Sequence, residues 1–169
     1  REAEYTNLLG DRIVDRYHKD NIVLTSHLVA FAAFRLLEHQ NPQLDLYGIL
    51  RLPAEEFVFP KPALGDVINQ LRNRLLVMER LEQVKLSPGI HESVDFILED
   101  GITHLGNFHV SNPLYFDKKE RIVSASFKVL YFYHNRLDNY ELERHIDWKN
   151  IGEEALLLEE ELYNQEGRF

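Results

Sequence analysis

For most of its length the chain repeats apolar residues at helical spacing. Tyr5, Leu8, Leu9, Ile13 and Tyr17 fall three or four apart with charged residues between them, which predicts an amphipathic helix. His18-Lys19-Asp20-Asn21 interrupts that pattern, and LVAFAAFRLLE follows from Leu28 to Glu38. This second helix is apolar nearly all round at its beginning, so it belongs in the centre of a core. Thr25 or Ser26 is placed to cap it, because a hydroxyl satisfies an orphan backbone N–H at a helix start. Residues 40–63 hold four of the six prolines and predict a connector with one short helix after Pro53. A long helix is expected from about Leu64 to Lys85. Leu64, Val67, Ile68, Leu71, Leu75, Met78 and Leu81 line one face of it, opposite Asn69, Arg72, Asn73 and Arg80, and Ser87-Pro88-Gly89 stops it. HESVDFILEDG, from His91 to Gly101, predicts a compact helix closed by glycine in the C′ position.

Beyond it the pattern shortens. HLGNFH, His104 to His109, offers Gly106-Asn107 as a two-residue hairpin turn with Leu105 and Phe108 opposite each other. A second extended piece covers Pro113 to Phe116. Asp117-Lys118-Lys119-Glu120 has the form of a capping box and announces the element that contains VLYFYHNRLDNYEL, residues 129–142. Val123, Ala125, Phe127, Val129, Tyr131 and Tyr133 alternate as in a strand, whereas Ile122, Ser126, Val129, Tyr133, Leu137 and Tyr140 fit a helical face. The cap and the run from Lys118 to His134 without Gly or Pro favour helix. The expected fold is mainly α with a small β-hairpin (α+β), winged-helix-like in outline. Its parts would be a helical segment over 1–39, a connector over 40–63, a helix-hairpin-helix core over 64–148 and an acidic amphipathic tail helix over 149–169.

At 169 residues such a chain can bury a sizeable core, and 44% hydrophobic with 28% charged residues is ordinary for a globular domain. It has no cysteine, which excludes a disulfide framework, a thiol nucleophile and a cysteine metal cage. The net charge of −9 is concentrated from Leu137 to Phe169, where ten acids face three Lys/Arg. That balance disfavours nonspecific binding to nucleic acid, and no nucleic-acid partner is expected. The run Leu28 to Phe34 is far short of the roughly 20 residues that cross a bilayer. Opening on Arg1 and directly in a helical pattern, the chain is expected to be a piece of a longer protein.

Candidate chemistry is sparse. His104 and His109 would face each other across the Gly-Asn turn and are weak metal candidates, needing His91 or Glu99 as a third ligand. No metal and no cofactor is expected. Ser26 and Ser87 lack the Gly-x-Ser-x-Gly elbow of a hydrolase, and the eight glycines form no phosphate-binding loop. Glu55-Glu56, Glu99-Asp100, Glu153-Glu154 and Glu159 to Glu161 are adjacent acids that point apart on a helix, as on solvated faces. Ala155, Leu158 and Leu162 give the tail an apolar side suited to docking on a partner. Lys118, Lys119, Arg121, Lys128 and Arg136 form the most basic stretch, and the alternative reading of the chain is a winged-helix-like module binding nucleic acid or protein. In YFYHNR itself, His134 and Asp138 stand at i,i+4, the spacing of a base held by a carboxylate. The competing reading is an aromatic packing face at a domain border, made of Tyr131, Tyr133, His134, Asn135 and Arg136, and the lack of a visible nucleophile favours it.

KVLYFYHNRLDNYEL, residues 128–142, resembles the region downstream of the catalytic domain in membrane-bound bacterial glycerol-3-phosphate acyltransferases and the related dihydroxyacetone-phosphate acyltransferases. There a Tyr-Tyr-Arg-Asn-Asn stretch sits on a helix that begins the C-terminal region. Phe132, Tyr133, His134, Asn135 and Arg136 stand in those places, with Tyr133 and Asn135 matching. HESVDFILEDG, the extended piece ending near Phe116 and KKERIV lie in the same order, and DRIVDRYHKDNIVLTSHLVAFAAF looks like the helices that directly follow the acyltransferase domain. The resemblance spans roughly residues 5–145. It implies a parent that moves a fatty acyl group from acyl-CoA or acyl carrier protein to glycerol 3-phosphate at the cytoplasmic face of the inner membrane. The family's catalytic His-x-x-x-x-Asp is absent: none of the eight histidines has Asp in that position, and Asp95 and Asp138 lie one place too close to His91 and His134. The resemblance therefore implies a soluble accessory fragment with no catalytic residue of its own, packed on the catalytic acyltransferase domain of the same parent chain.

Overall fold

In the computed structural model, residues 21–106 and 111–152 are described. Its first paired element is β1 (Ile22–Val23), and α1 (Thr25–Gln40) follows at once. Leu28 to Phe34, Leu36 and Leu37 of α1 are all buried, as a helix with no polar face requires. It runs through the middle of the molecule and packs against three other helices, described below. Its cap departs from expectation. The Leu24 N–H donates to His27 Nδ1 at 3.1 Å, while the Thr25 hydroxyl donates across the core to Asp100 at 2.7 Å. The N-cap position falls on Leu24, so Thr25 already lies inside the first turn and its hydroxyl donates to a distant carboxylate rather than capping the helix.

The connector carries α2 (Leu46–Leu50), a helix the periodicity did not announce, capped by Asp45 through the Gly48 N–H at 2.8 Å. The helix expected after Pro53 is a single 3₁₀ turn, Ala54–Glu56. α3 (Lys61–Arg80) begins and ends earlier than predicted. Pro60 and Pro62 sit at its start, where proline removes no needed donor, and Glu82 at φ +59° turns the chain before Lys85. β2 (Lys85–Leu86) then pairs in parallel with β1, Ile22 opposite Lys85 and Val23 opposite Leu86.

α4 (Val94–Gly106) corrects two expectations. Gly101 does not close the helix; it lies buried inside it, where a Cβ would stand 2.5 Å from Val29 Cγ2 and 2.8 Å from the Thr25 carbonyl oxygen. Glycine there lets α4 approach α1 closely. Gly106 ends a helix rather than turning a hairpin, so His104 is helical; Asn107, Phe108 and His109 lie outside the described residues.

The hairpin of this fold comes later. β3 (Tyr115–Phe116) pairs antiparallel with β4 (Ile122–Val123). Asp117 organises its turn, not a helix: its carboxylate accepts from the N–H groups of Lys119 and Arg121 and from Arg121 Nε, each at 2.8–2.9 Å. Phe59 extends the pairing by a bridge to Ile122. α5 (Phe127–His134) starts where the Ser126 hydroxyl accepts from the Val129 N–H at 3.3 Å. The alternating and helical readings of this stretch thus each hold for a part of it. Short 3₁₀ turns, Asn135–Tyr140, Leu142–His145 and Trp148–Asn150, complete the described chain.

The architecture is mainly α with a small antiparallel hairpin: five α-helices among the described residues, and the hairpin between α4 and α5. Ile49 and Phe59 of the connector join α1, α3, α4 and α5 in one hydrophobic cluster. The helices expected at residues 5–17 and in the tail lie outside the described residues, the tail's from Glu153 on. No helix among the described residues is long and apolar enough to cross a membrane.

Candidate functional site

The aromatic stretch of α5 lies against α1, and its histidine is interior. His134 is 2% exposed. The Phe31 ring stacks on it at 4.9 Å and 4°, Phe34 is tilted against it at 4.9 Å, and Tyr131 lies at 5.4 Å and 18°. Nδ1 meets Asn135 Oδ1 at 3.2 Å, while Nε2 is buried without a hydrogen-bond partner. Burial, with Arg35 pushing in the same direction, lowers its pKa to about 4, so the ring is neutral at neutral pH.

Asp138 pairs with Arg35 at 3.4 Å, and the His134–Asp138 pair suggested by the spacing does not form. The α-helix ends at His134 and the next residues turn as 3₁₀, so positions four apart no longer share a face. The same Arg35 pairs with Glu38 at 3.5 Å and lies over the Phe31 ring at 5.2 Å. It ties α1 to the turn after α5. Burial raises the Glu38 pKa, with Arg35 acting against that rise.

Beside this cluster opens a cleft of about 230 Å³ lined by Arg35, Glu38, His39, Glu143 and Trp148. His39 and Trp148 stack at 3.9 Å and 3°, and Glu143 Oε2 is buried with no partner. The periodicity singled out none of these five for chemistry. Arg35 carried the available signal, as the one charge inside an otherwise apolar run from Leu28 to Leu37. The cleft offers one guanidinium and two carboxylates, a set suited to holding elements together or to binding polar groups. A general base must reach the proton it takes, and the most basic ring in the aromatic stretch is sealed behind Phe31 and Phe34. A larger groove of about 590 Å³ lies elsewhere, lined by Ile22, Glu79, Glu82, Val84, Lys85 and Leu86.

The remaining candidates scatter. Tyr131 packs on Phe34 at 5.1 Å, and Tyr133 is half-buried with its ring edge-on to Phe132 at 5.7 Å. Asn135 and Arg136 are exposed. Arg136 adds to the burial that lowers the His27 pKa to about 4. His104 contacts the Asp100 carbonyl at 2.7 Å, and His91 meets Glu79 at 3.1 Å, so the two histidines serve different helices. No three His, Asp or Glu side chains among the described residues are grouped to hold a metal. Ser26 is buried. Lys118, Lys119 and Arg121 sit at the hairpin turn, Arg121 bound to Asp117.

Set against known proteins, the chain matches no family model, no curated protein and no solved structure.

Proposed function

We propose that this chain is the helical region following the catalytic domain of a glycerol-3-phosphate acyltransferase-like protein. The parent transfers a fatty acyl group from acyl-CoA or acyl carrier protein to glycerol 3-phosphate at the cytoplasmic face of the inner membrane. This region supports that domain and contributes no catalytic group. The observation that carries the reading is the packing of α1 on α5. Two of the stretches that carry the resemblance, LVAFAAF and YFYHNR, lie about 100 residues apart and meet through the Phe31–His134 stack and, just beyond them, the Arg35–Asp138 pair. His134 serves there as a packing residue, buried against Phe31.

The test is the source reading frame upstream of Arg1. A His-x-x-x-x-Asp motif there, and restored growth when the whole frame is expressed in a strain lacking its glycerol-3-phosphate acyltransferase, are the expected results. An upstream region without that motif, or a whole frame that transfers no acyl group, overturns the proposal and puts the winged-helix-like interaction module first.

A further inference from the structure

The cleft beside His134 holds an imbalance of charge. Its guanidinium, Arg35, already meets Glu38 at 3.5 Å and Asp138 at 3.4 Å. Glu143 also lines the cleft but forms no ion pair among the described residues, and its Oε2 is sealed from solvent with no donor. Burial raises the Glu38 pKa; Arg35 opposes that rise, and the charges of Asp138 and Glu143 add to it. Three carboxylates therefore lie around one guanidinium. A sequestered carboxylate oxygen without a donor is costly, and a cation entering the cleft would offset that cost.

The walls are held in place before any guest arrives. Leu142 and Ile146, which flank Glu143 in the chain, are buried. The Asp147 N–H donates to Gln70 Oε1 at 2.6 Å, and Gln70 Nε2 donates to the Asp147 carbonyl oxygen at 3.3 Å, which clamps this stretch to α3. The Asp147 carboxylate then caps the last turn, accepting from the Lys149 N–H at 3.2 Å and from Asn150 Nδ2 at 2.6 Å. Trp148, half-buried and stacked on His39 at 3.9 Å, is thereby fixed as an aromatic wall. Such preorganisation lowers the ordering cost of binding.

The kind of cation follows from the donors it must bring. The described residues group no three His, Asp or Glu side chains around a metal position. A guanidinium binds best as a fork on both oxygens of one carboxylate, and Glu143 has only Oε1 left to offer. Two aromatic rings that stack on each other make no cage for a quaternary ammonium. A primary ammonium carries three rotatable N–H donors on a compact charge, so it can divide them between Glu143 and Glu38. With about 230 Å³, the cleft has room for about seven non-hydrogen atoms at ~30 Å³ each, enough for a short alkyl stem along the Trp148 indole.

We propose that this cleft binds a primary ammonium on a short alkyl stem, held by Glu143 and Glu38 and flanked by Trp148. The group comes from a free alkylamine or from a lysine side chain of another protein.

Trp148 is the one tryptophan of the chain, so its emission and its indole N–H signal report on the cleft directly. Putrescine and Nα-acetyl-lysine N-methylamide are titrated into the full chain at constant ionic strength. A saturable change with either is expected. Tighter binding of putrescine names a free amine as the source, and tighter binding of the lysine derivative names a protein side chain. Glu143→Gln should weaken binding about tenfold or more and leave Tm unchanged or higher, because it removes an unpaired charge. Sodium and tetramethylammonium, titrated into the native chain, should produce no saturable change. That comparison needs no substitution, so it decides the question even if the variant folds poorly. Silence of both Trp148 signals, an equal response to sodium or tetramethylammonium, or undiminished affinity in Glu143→Gln overturns the proposal.

Discussion

Phenylalanine at position 134 separates packing from protonation. The native histidine is 2% exposed, with one nitrogen unpartnered and a pKa of about 4 against 6.5 when unperturbed. Between those values the unfolded chain binds a proton that the native state refuses. Stability therefore rises with pH across that window and is flat above it. The whole shift corresponds to about 3 kcal/mol, of which about 2 kcal/mol is already lost at about pH 5. His134→Phe keeps an aromatic ring between Phe31 and Phe34 and removes the titration. Its extra volume alters absolute stability by about 1–3 kcal/mol, but that term is the same at both pH values. Urea unfolding of both proteins at about pH 7.5 and about pH 5 gives the difference of differences. Carboxylates and His27 titrate in both and cancel. The native protein is expected to lose about 2 kcal/mol more than the variant on acidification. Equal losses would refute the buried neutral histidine and return His134 to the list of accessible bases.

Two further substitutions probe the contact of α1 with α4. Gly101→Ala places a methyl group 2.5 Å from Val29 Cγ2 and 2.8 Å from the Thr25 backbone oxygen. Overpacking of about 1–3 kcal/mol should outweigh the roughly 1 kcal/mol that alanine gains in a helix interior. Thermal unfolding reads the net, and a raised Tm would show that the helices part without cost. Thr25→Val deletes the hydroxyl that donates to Asp100 at 2.7 Å and should cost about 1.5–3 kcal/mol. Thr25→Ser should recover most of the loss in the same assay; if valine is as stable as threonine, the bond contributes nothing net.

The parts legible in the sequence were those whose signal is local and repeated. The apolar run of α1 placed it in the core, and the face from Leu64 to Met78 located α3, because burial must recur every third or fourth residue whatever the helix packs against. Turn chemistry was less informative, since one residue type serves several motifs. Asp117 satisfies N–H groups equally well at a helix start or in a hairpin, and the pairing of Tyr115–Phe116 with Ile122–Val123 decided between them. Gly101 and Gly106 carried the same ambiguity: one is needed for a close helix approach, the other falls at a helix end, and neither role is visible in neighbouring residues.

For the candidate site the division is sharper. By itself the sequence determined that the stretch from Val129 to Leu142 is aromatic, carries a histidine and has no His-x-x-x-x-Asp spacing. Only the tertiary structure decided that His134 stacks between side chains from α1, and that Asp138 turns instead to Arg35, more than 100 positions away. Spacing along one helix sets which groups can meet. Which of them do meet depends on charges brought in by other elements and on how deeply the fold buries the ring, and those terms arise only when distant segments pack.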